Sequence, residues 1–210
     1  MDAIGYNDDC YEIYYMKESG LKLLLAGLGQ EGWYGLFSVK VNKDTANETL
    51  AGLYQDGVID WDDSGDAVKV RQPFAGMLDA MLEKKVCVTA QMPWEDAFVR
   101  CFYLSASASV LTQKSRREEK TLGMAKLSLP RWMRLLEDDC GRMETGESCI
   151  LTCQSSKNGR VYRRIQVKRS GLRSFFLEWE GDEAGKLPCM LEELAGALTA
   201  ALGLDWLYLD

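Results

Sequence analysis

The spacing of apolar residues changes along this chain near residue 85. Before that point they recur at three- and four-residue intervals, the period of a helix with one buried face. Ile13, Met16, Leu21, Leu24, Leu25 and Leu28 predict a helix, and Gly29 ends it, because glycine takes the left-handed position after a helix without strain. Leu50, Leu53 and Tyr54 predict a second helix, capped by Asp44 or Thr45, with Thr45-x-x-Glu48 as a capping box and Gly57 as its stop. Phe74, Met77, Leu78, Met81 and Leu82 predict a third, opened by Pro73. Between the last two, "GVIDW" and "AVKV" flank the polar turn Asp62-Asp63-Ser64-Gly65 and predict a short hairpin. Helix, connector, helix, hairpin and helix form a winged-helix-like order over residues 1–84.

After residue 85 the pattern becomes short β-rich runs broken by turn residues: "KVCVTAQM", "AFVRCFYLSA", "SVLTQKS" and "KTLGMAKLS". "LPRWMRLLEDDC" then reads as a helix with Trp132, Leu135 and Leu136 on one face. The sequence of signals repeats. "ESCILTCQSS", "GRVYRRIQVKRS" and "RSFFLEWEG" read as strands, and "LPCMLEELAGALTAALG" as a helix. Leu129-Pro130-x-x-Met133-x-x-Leu136 lines up with Leu187-Pro188-x-x-Leu191-x-x-Leu194. A meander followed by a helix is therefore expected twice, over 85–140 and 147–203, each meander burying one face under its helix. The expected fold class is α+β. An N-terminal winged-helix-like helical part (1–84) precedes two antiparallel β-meander plus helix units, a pseudo-repeat (85–210), in one compact unit. The pattern leaves open whether the two meanders join into one sheet.

Composition narrows the chemistry. Of 210 residues, 47% are apolar and 27% charged, as in a soluble globular protein. No stretch has the roughly 18 uninterrupted apolar residues of a membrane span, and Met1-Asp2-Ala3-Ile4 lacks the basic start of a signal peptide. A cytoplasmic location without membrane contact is expected. Seven cysteines, an odd number without a C-x-x-C pair, indicate neither a disulfide framework nor a zinc ribbon. Cys149 and Cys153 share a strand face, but two thiols do not complete a tetrahedral metal site. There is no histidine, so Ser-His, Cys-His and zinc-histidine arrangements are absent from these residues. A net charge of −7 argues against a general nucleic-acid binder.

Two motifs invite chemistry and lack its context. Gly27-x-Gly29-x-x-Gly32 has the spacing of a dinucleotide fingerprint, but helical periodicity precedes it and "WYGLFSV" is a poor helix start. Asp60, Asp62, Ser64 and Gly65 occupy calcium-loop positions, yet the twelfth place, a bidentate glutamate in such loops, is Arg71. The second predicted helix has no lysine or arginine after its start at Asp44, and the wing carries Asp60, Asp62, Asp63 and Asp66, the wrong charge for reading DNA. No cofactor and no metal are expected, and the chain is expected not to be an enzyme.

Charge clusters supply the surface candidates. Lys157, Arg160, Arg163, Arg164, Lys168, Arg169 and Arg173 form a run without an acid, read as a solvated strand edge or a binding patch. Arg116-Arg117-Glu118-Glu119-Lys120 reads as the charged tip of a hairpin. Adjacent acid pairs such as Asp62-Asp63 and Asp138-Asp139 read as solvated charge.

The order of these elements carries a resemblance. Leu50-x-x-Leu53-x-x-x-Gly57-Val58-Ile59, a hairpin, Phe74-x-x-Met77-Leu78-x-x-Met81-Leu82, a meander, Leu129-Pro130 with Met133 and Leu136, more strands, and Leu191-x-x-Leu194-x-x-x-Leu198 resemble the EspG family and its small relatives in Gram-positive bacteria. The resemblance covers most of the chain as a pattern of elements. It implies a non-enzymatic cytosolic chaperone or adaptor of type VII (ESX) secretion, whose partners are secreted helical-hairpin proteins. It implies partner contacts at the hairpin tip, Arg116 and Arg117, and along the last helix, at Met190, Leu194 and Leu198. A winged-helix transcriptional regulator with a C-terminal sensor domain is the alternative.

Overall fold

The computed structural model describes residues 11–29, 43–62, 64, 67–94, 99–115, 118–157 and 159–204. Its frame is one antiparallel sheet of nine strands, in the order β1-β7-β6-β5-β4-β8-β9-β10-β11. β4 (Val86–Gln91), β5 (Val99–Leu104), β6 (Ser109–Lys114) and β7 (Thr121–Leu127) form the first meander. β8 (Ser148–Ser155), β9 (Val161–Arg169), β10 (Ser174–Gly181) and β11 (Gly185–Met190) form the second. β4 and β8 pair directly, from Val86 with Ser155 to Gln91 with Ile150, and so fuse the meanders.

This architecture corrects the expected fold class. The described chain is predominantly β, with five short α-helices, and residues before 85 do not form a winged-helix unit. "YYMK", expected inside the first helix, is strand β1 (Tyr14–Lys17), paired with β7 at the sheet edge. Only Met16 of its four residues is buried, the alternation of a strand. Helix α1 starts at Glu18 and ends at Gly27, and Gly29 follows at φ 74°. α2 (Lys43–Gln55), the separate hairpin β2 (Ile59–Trp61) and β3 (Val68–Val70), and α3 (Phe74–Leu82) come next. The expected order of elements is present, but their apolar faces serve the large sheet. Leu21, Leu25, Leu53, Ile59, Phe74, Met77 and Met81 share one core with Cys101, Tyr103, Val110, Leu122 and Met124 of β5, β6 and β7. A winged helix closes on its own core; here the sheet supplies the other half.

The opposite face of the sheet carries the second core. Helix α4 (Leu129–Arg142) buries Leu129, Trp132, Met133, Leu136 and Cys140, a three-four spacing that aligns one face along the helix. α5 (Leu194–Leu202) buries Leu194, Ala197, Leu198, Ala201 and Leu202. Both pack with Val88, Phe102, Leu151, Ile165 and Leu177 of the strands. Each leucine, isoleucine, valine, phenylalanine or methionine among them taken fully from water contributes about 1.5–3 kcal/mol. The proposed alignment of the two Leu-Pro pairs fails. Pro130 opens α4, whereas Leu187 and Pro188 lie in edge strand β11, which pairs Leu187 with Leu177.

Candidate functional site

The two halves of the sheet are covered differently. Among the described residues, β1 and β4–β7 lie between α1–α3 on one face and α4 on the other, whereas β8–β11 are covered by α4 and α5 on one face only. Parity in the strands identifies the uncovered residues. Cys149, Leu151, Val167, Phe175, Leu177 and Cys189 point into the core, so Ile150, Thr152, Arg164, Gln166, Lys168, Phe176, Pro188 and Met190 lie on the other side. The registers bring these into rows: Phe176 stands between Lys168 and Pro188, and Met190 beside Ser174. Lys168, Ser170, Ser174, Phe176, Pro188, Met190 and Glu193 line an open groove of about 510 Å³ on this face. A second hollow of about 640 Å³ continues along Ile150, Arg164, Gln166, Glu178 and Lys186. Met190 is 46% exposed, and Leu172, on the β9–β10 turn, is 81% exposed.

The edge beside this groove is blocked to strand addition at its Met190 end. Pro188 has no amide hydrogen, and the Met190 amide donates to the Glu193 carboxylate at 3.0 Å. The next amide, Leu191 N, turns inward to the Arg173 carbonyl. An edge whose outward donors are missing at Pro188 and occupied at Met190 is a poor template for another strand at that end.

The basic run dissolves into mostly structural roles. Arg163 is buried and donates to the Ala200 and Ala201 carbonyls, at 3.3 and 2.8 Å, and to Glu183. It thereby satisfies the orphan carbonyls at the negative end of α5. Gly203 follows at φ 64°, where a Cβ would come within 2.7 Å of Arg163 Nη1. Arg169 does the same for α4, donating to the Gly141 and Met143 carbonyls. Arg160 pairs with Asp182, and Arg173 with Glu192. Arg164 and Lys168 point to solvent from the uncovered face.

The predicted site is split by this arrangement. Leu194 and Leu198 are fully buried under α5; the expectation that they face a partner is corrected, because the sheet uses the whole apolar face of this short helix. Arg116 and Arg117 lie outside the described residues. The strands β6 and β7, between which they fall in the sequence, stand six and seven strand spacings from β11, roughly 30 Å across the sheet. The described flank of this link is held down by Lys17 with Glu118 at 3.1 Å and by Thr121 with Glu118 at 2.9 Å. Met190 alone of these residues lines the groove. Phe176 and Pro188 were missed, although their alternation with Phe175, Leu177 and Cys189 was readable.

Other candidate chemistry resolves locally. Gly27 and Gly29 end a helix, whereas the dinucleotide turn opens one; Gly32 lies outside the described residues. Asp60 accepts from Arg71 Nε at 2.6 Å, so the cation at the twelfth calcium-loop position binds the carboxylate at the first. Asp62 accepts from Ser64 and from the Ala67 amide, as a turn residue does; Asp63, Gly65 and Asp66 are outside the described residues. Asp139, expected to be solvated, is 2% exposed and paired with Arg100 of β5. Burial raises its carboxyl above the usual range, with Arg100 opposing. Among the described residues no group of three His, Cys, Asp or Glu side chains could hold a metal, and no helix is long and apolar enough to cross a membrane. The six described cysteines are buried. The Cys153 thiol is pushed up to about 12 by burial. The Cys140 thiol is raised by its hydrogen bond with Cys149 and by burial.

No protein-family model matches the chain. The chain is similar to the calpain-2 catalytic subunit of Oryctolagus cuniculus, 32% identical over 124 residues, which is 58% of this chain and 28% of that protein. The chain thus spans under a third of its relative. The expectation that the chain is not an enzyme is overturned by this similarity to a catalytic subunit and is withdrawn.

Proposed function

We propose that this chain is a cytoplasmic chaperone or adaptor that holds helical-hairpin proteins of type VII secretion on the uncovered face of β8–β11. One observation carries the reading. Half of a large sheet has one face that no described helix covers, with apolar side chains in its groove and a neighbouring edge blocked to strand pairing at Pro188 and Met190. A ligand for such a face lies on it as a helix with apolar anchors at three- and four-residue spacing, rather than extending the sheet. Phe176, Pro188 and Met190 supply the apolar floor, and methionine adapts to varied partners. Lys168 and Arg164 supply a polar rim that orients the partner and speeds encounter. The resemblance of element order to EspG-like proteins names the class of partner. Nucleic acid is not part of this reading.

Co-expression with small helical-hairpin proteins encoded beside this gene tests it. A complex that survives gel filtration is expected, and Phe176→Lys with Met190→Lys is expected to weaken it at least about tenfold, the effect of removing central anchors. The variant's circular dichroism should match the parent. Charge reversal at Arg116 and Arg117, in the link between β6 and β7, should leave the complex intact. Failure to retain any such protein, or a complex indifferent to the Phe176 and Met190 changes, overturns the reading.

A further inference from the structure

The chain passes from the first half of the sheet to the second through a short connection, residues 143–147, between α4 and β8. The Glu144 amide donates to the Glu147 carboxylate and the Glu147 amide to the Glu144 carbonyl, and Gly146 takes φ 98°. Behind this turn the Cys140 and Cys149 sulfurs stand 3.8 Å apart, both free and both fully buried. Cys140 lies in the last turn of α4 and Cys149 is the second residue of β8. Two sulfurs in van der Waals contact need an approach of under 2 Å to reach the roughly 2.05 Å of a disulfide.

We propose that Cys140 and Cys149 are a poised thiol pair that a hydroperoxide closes to a disulfide, covalently locking α4 to β8 where the two halves of the sheet join. Burial protects the pair while the turn is closed. Helix ends open most readily, and opening of the last turn of α4 admits a small oxidant. One sulfur attacks a peroxide oxygen and the O–O bond breaks, giving a sulfenic acid and a hydroxide that leaves as water with that thiol's proton. When the turn recloses, the second sulfur attacks the sulfenic sulfur; the S–S bond forms, the S–O bond breaks, and the second thiol's proton leaves in a second water. The two sulfurs give two electrons to one peroxide.

The test uses the full chain, folded, treated with hydrogen peroxide. After quenching, free thiols are alkylated in denaturant, and the protein is digested without reductant and mapped by mass spectrometry. A Cys140–Cys149 cross-linked peptide is expected, with loss of two alkylatable thiols, reversal by dithiothreitol, and a melting temperature raised by several degrees, as for a cross-link closing a short loop. Cys149→Ala is expected to lose both the cross-link and the rise. Mapping on the parent decides the matter even if that variant does not fold. Cys140 and Cys149 both still alkylated, or Cys140 joined instead to another cysteine, overturns the proposal. A cross-link without a rise in melting temperature overturns the lock.

Discussion

The two halves of the sheet use the same strand geometry and differ in what covers them. In β4–β7 alternate residues face opposite ways and both directions end in a core: Cys101, Tyr103, Val110 and Met124 under α1–α3, and Phe102, Leu104, Leu111 and Ala125 under α4. In β8–β11 one direction ends in a core and the other in solvent. The strand sequences record this difference. "VCVTAQ" and "TLGMAKL" run nearly apolar, as strands buried on both faces do, whereas "VYRRIQVKR" alternates. The described cysteines follow suit: Cys87 and Cys101 lie in the core under the N-terminal helices, Cys140, Cys149, Cys153 and Cys189 in the core with α4 and α5, and none faces the open side. A surface left open beside a fully covered one, carrying Phe176 and Met190, is where a partner can bind without disturbing the fold.

The contrast can be broken most severely by truncating matched positions. Met124→Ala, under the N-terminal helices and 0% exposed, is expected to cost about 2–5 kcal/mol, the range for deleting a large core side chain. Phe176→Ala, on the same side of the sheet but without a covering helix, is expected to cost about 1 kcal/mol or less, as a partly exposed position does. Urea unfolding of the two variants measures both. Comparable losses would mean that the open face is covered in solution.

The helix ends give the next effect. Arg163→Ala and Arg169→Ala each remove charge-assisted bonds to helix carbonyls and are expected to cost about 1.5–3 kcal/mol each. Their neighbours Arg164→Ala and Lys168→Ala, on the open face, are expected to stay within about 0.5 kcal/mol. Thermal unfolding of the four variants checks the division, and equal effects would return the basic run to a single surface patch.

A smaller effect is set by pH and samples only covered faces. Cys153 titrates at about 12 in the fold, against about 8.5 in an unfolded chain. Between these values the folded chain keeps a proton that the unfolded chain has lost. The stabilisation is therefore complete below about pH 8.5 and declines as pH rises toward 12, by about 1.4 kcal/mol per pH unit for this thiol. Urea midpoints measured from about pH 8 to pH 10 should fall, and Cys153→Ala should flatten the slope. A pH-independent midpoint would mean that the thiol is open to solvent.

How far the sequence could be read depends on whether a feature is local. Helical periodicity located α3 and α4, and Gly29 and Gly57 both take positive φ, at 74° and 71°, because a helix stop is decided within a few residues. Tyr14 to Lys17 were misread because four residues fit either period, and pairing with β7 decided for a strand. Leu187 and Pro188 were misread for the same reason, since β10 offered Leu177 and Phe176 as partners. Asp139 was legible in principle: it follows Leu136 by three and falls on the buried side of α4, but its need for Arg100, 39 residues earlier, was not. Met190 was readable as a candidate because methionine adapts to varied partners, although it ends strand β11 and is not on the last helix, whereas the burial of Leu194 and Leu198 depended on how much of α5 the sheet would take.

The sequence by itself determined the strand and helix segments where periodicity ran long enough, the turns at glycine, the absence of histidine and the charge. Tertiary structure decided that the two meanders share one sheet through β4 and β8, that the N-terminal helices lie on that sheet, and that among the described residues one of its halves keeps an uncovered face. Periodicity states that a segment has an apolar face, but not which other apolar face meets it. That choice is made by packing between residues far apart in the chain, and it is the choice that leaves β8–β11 open.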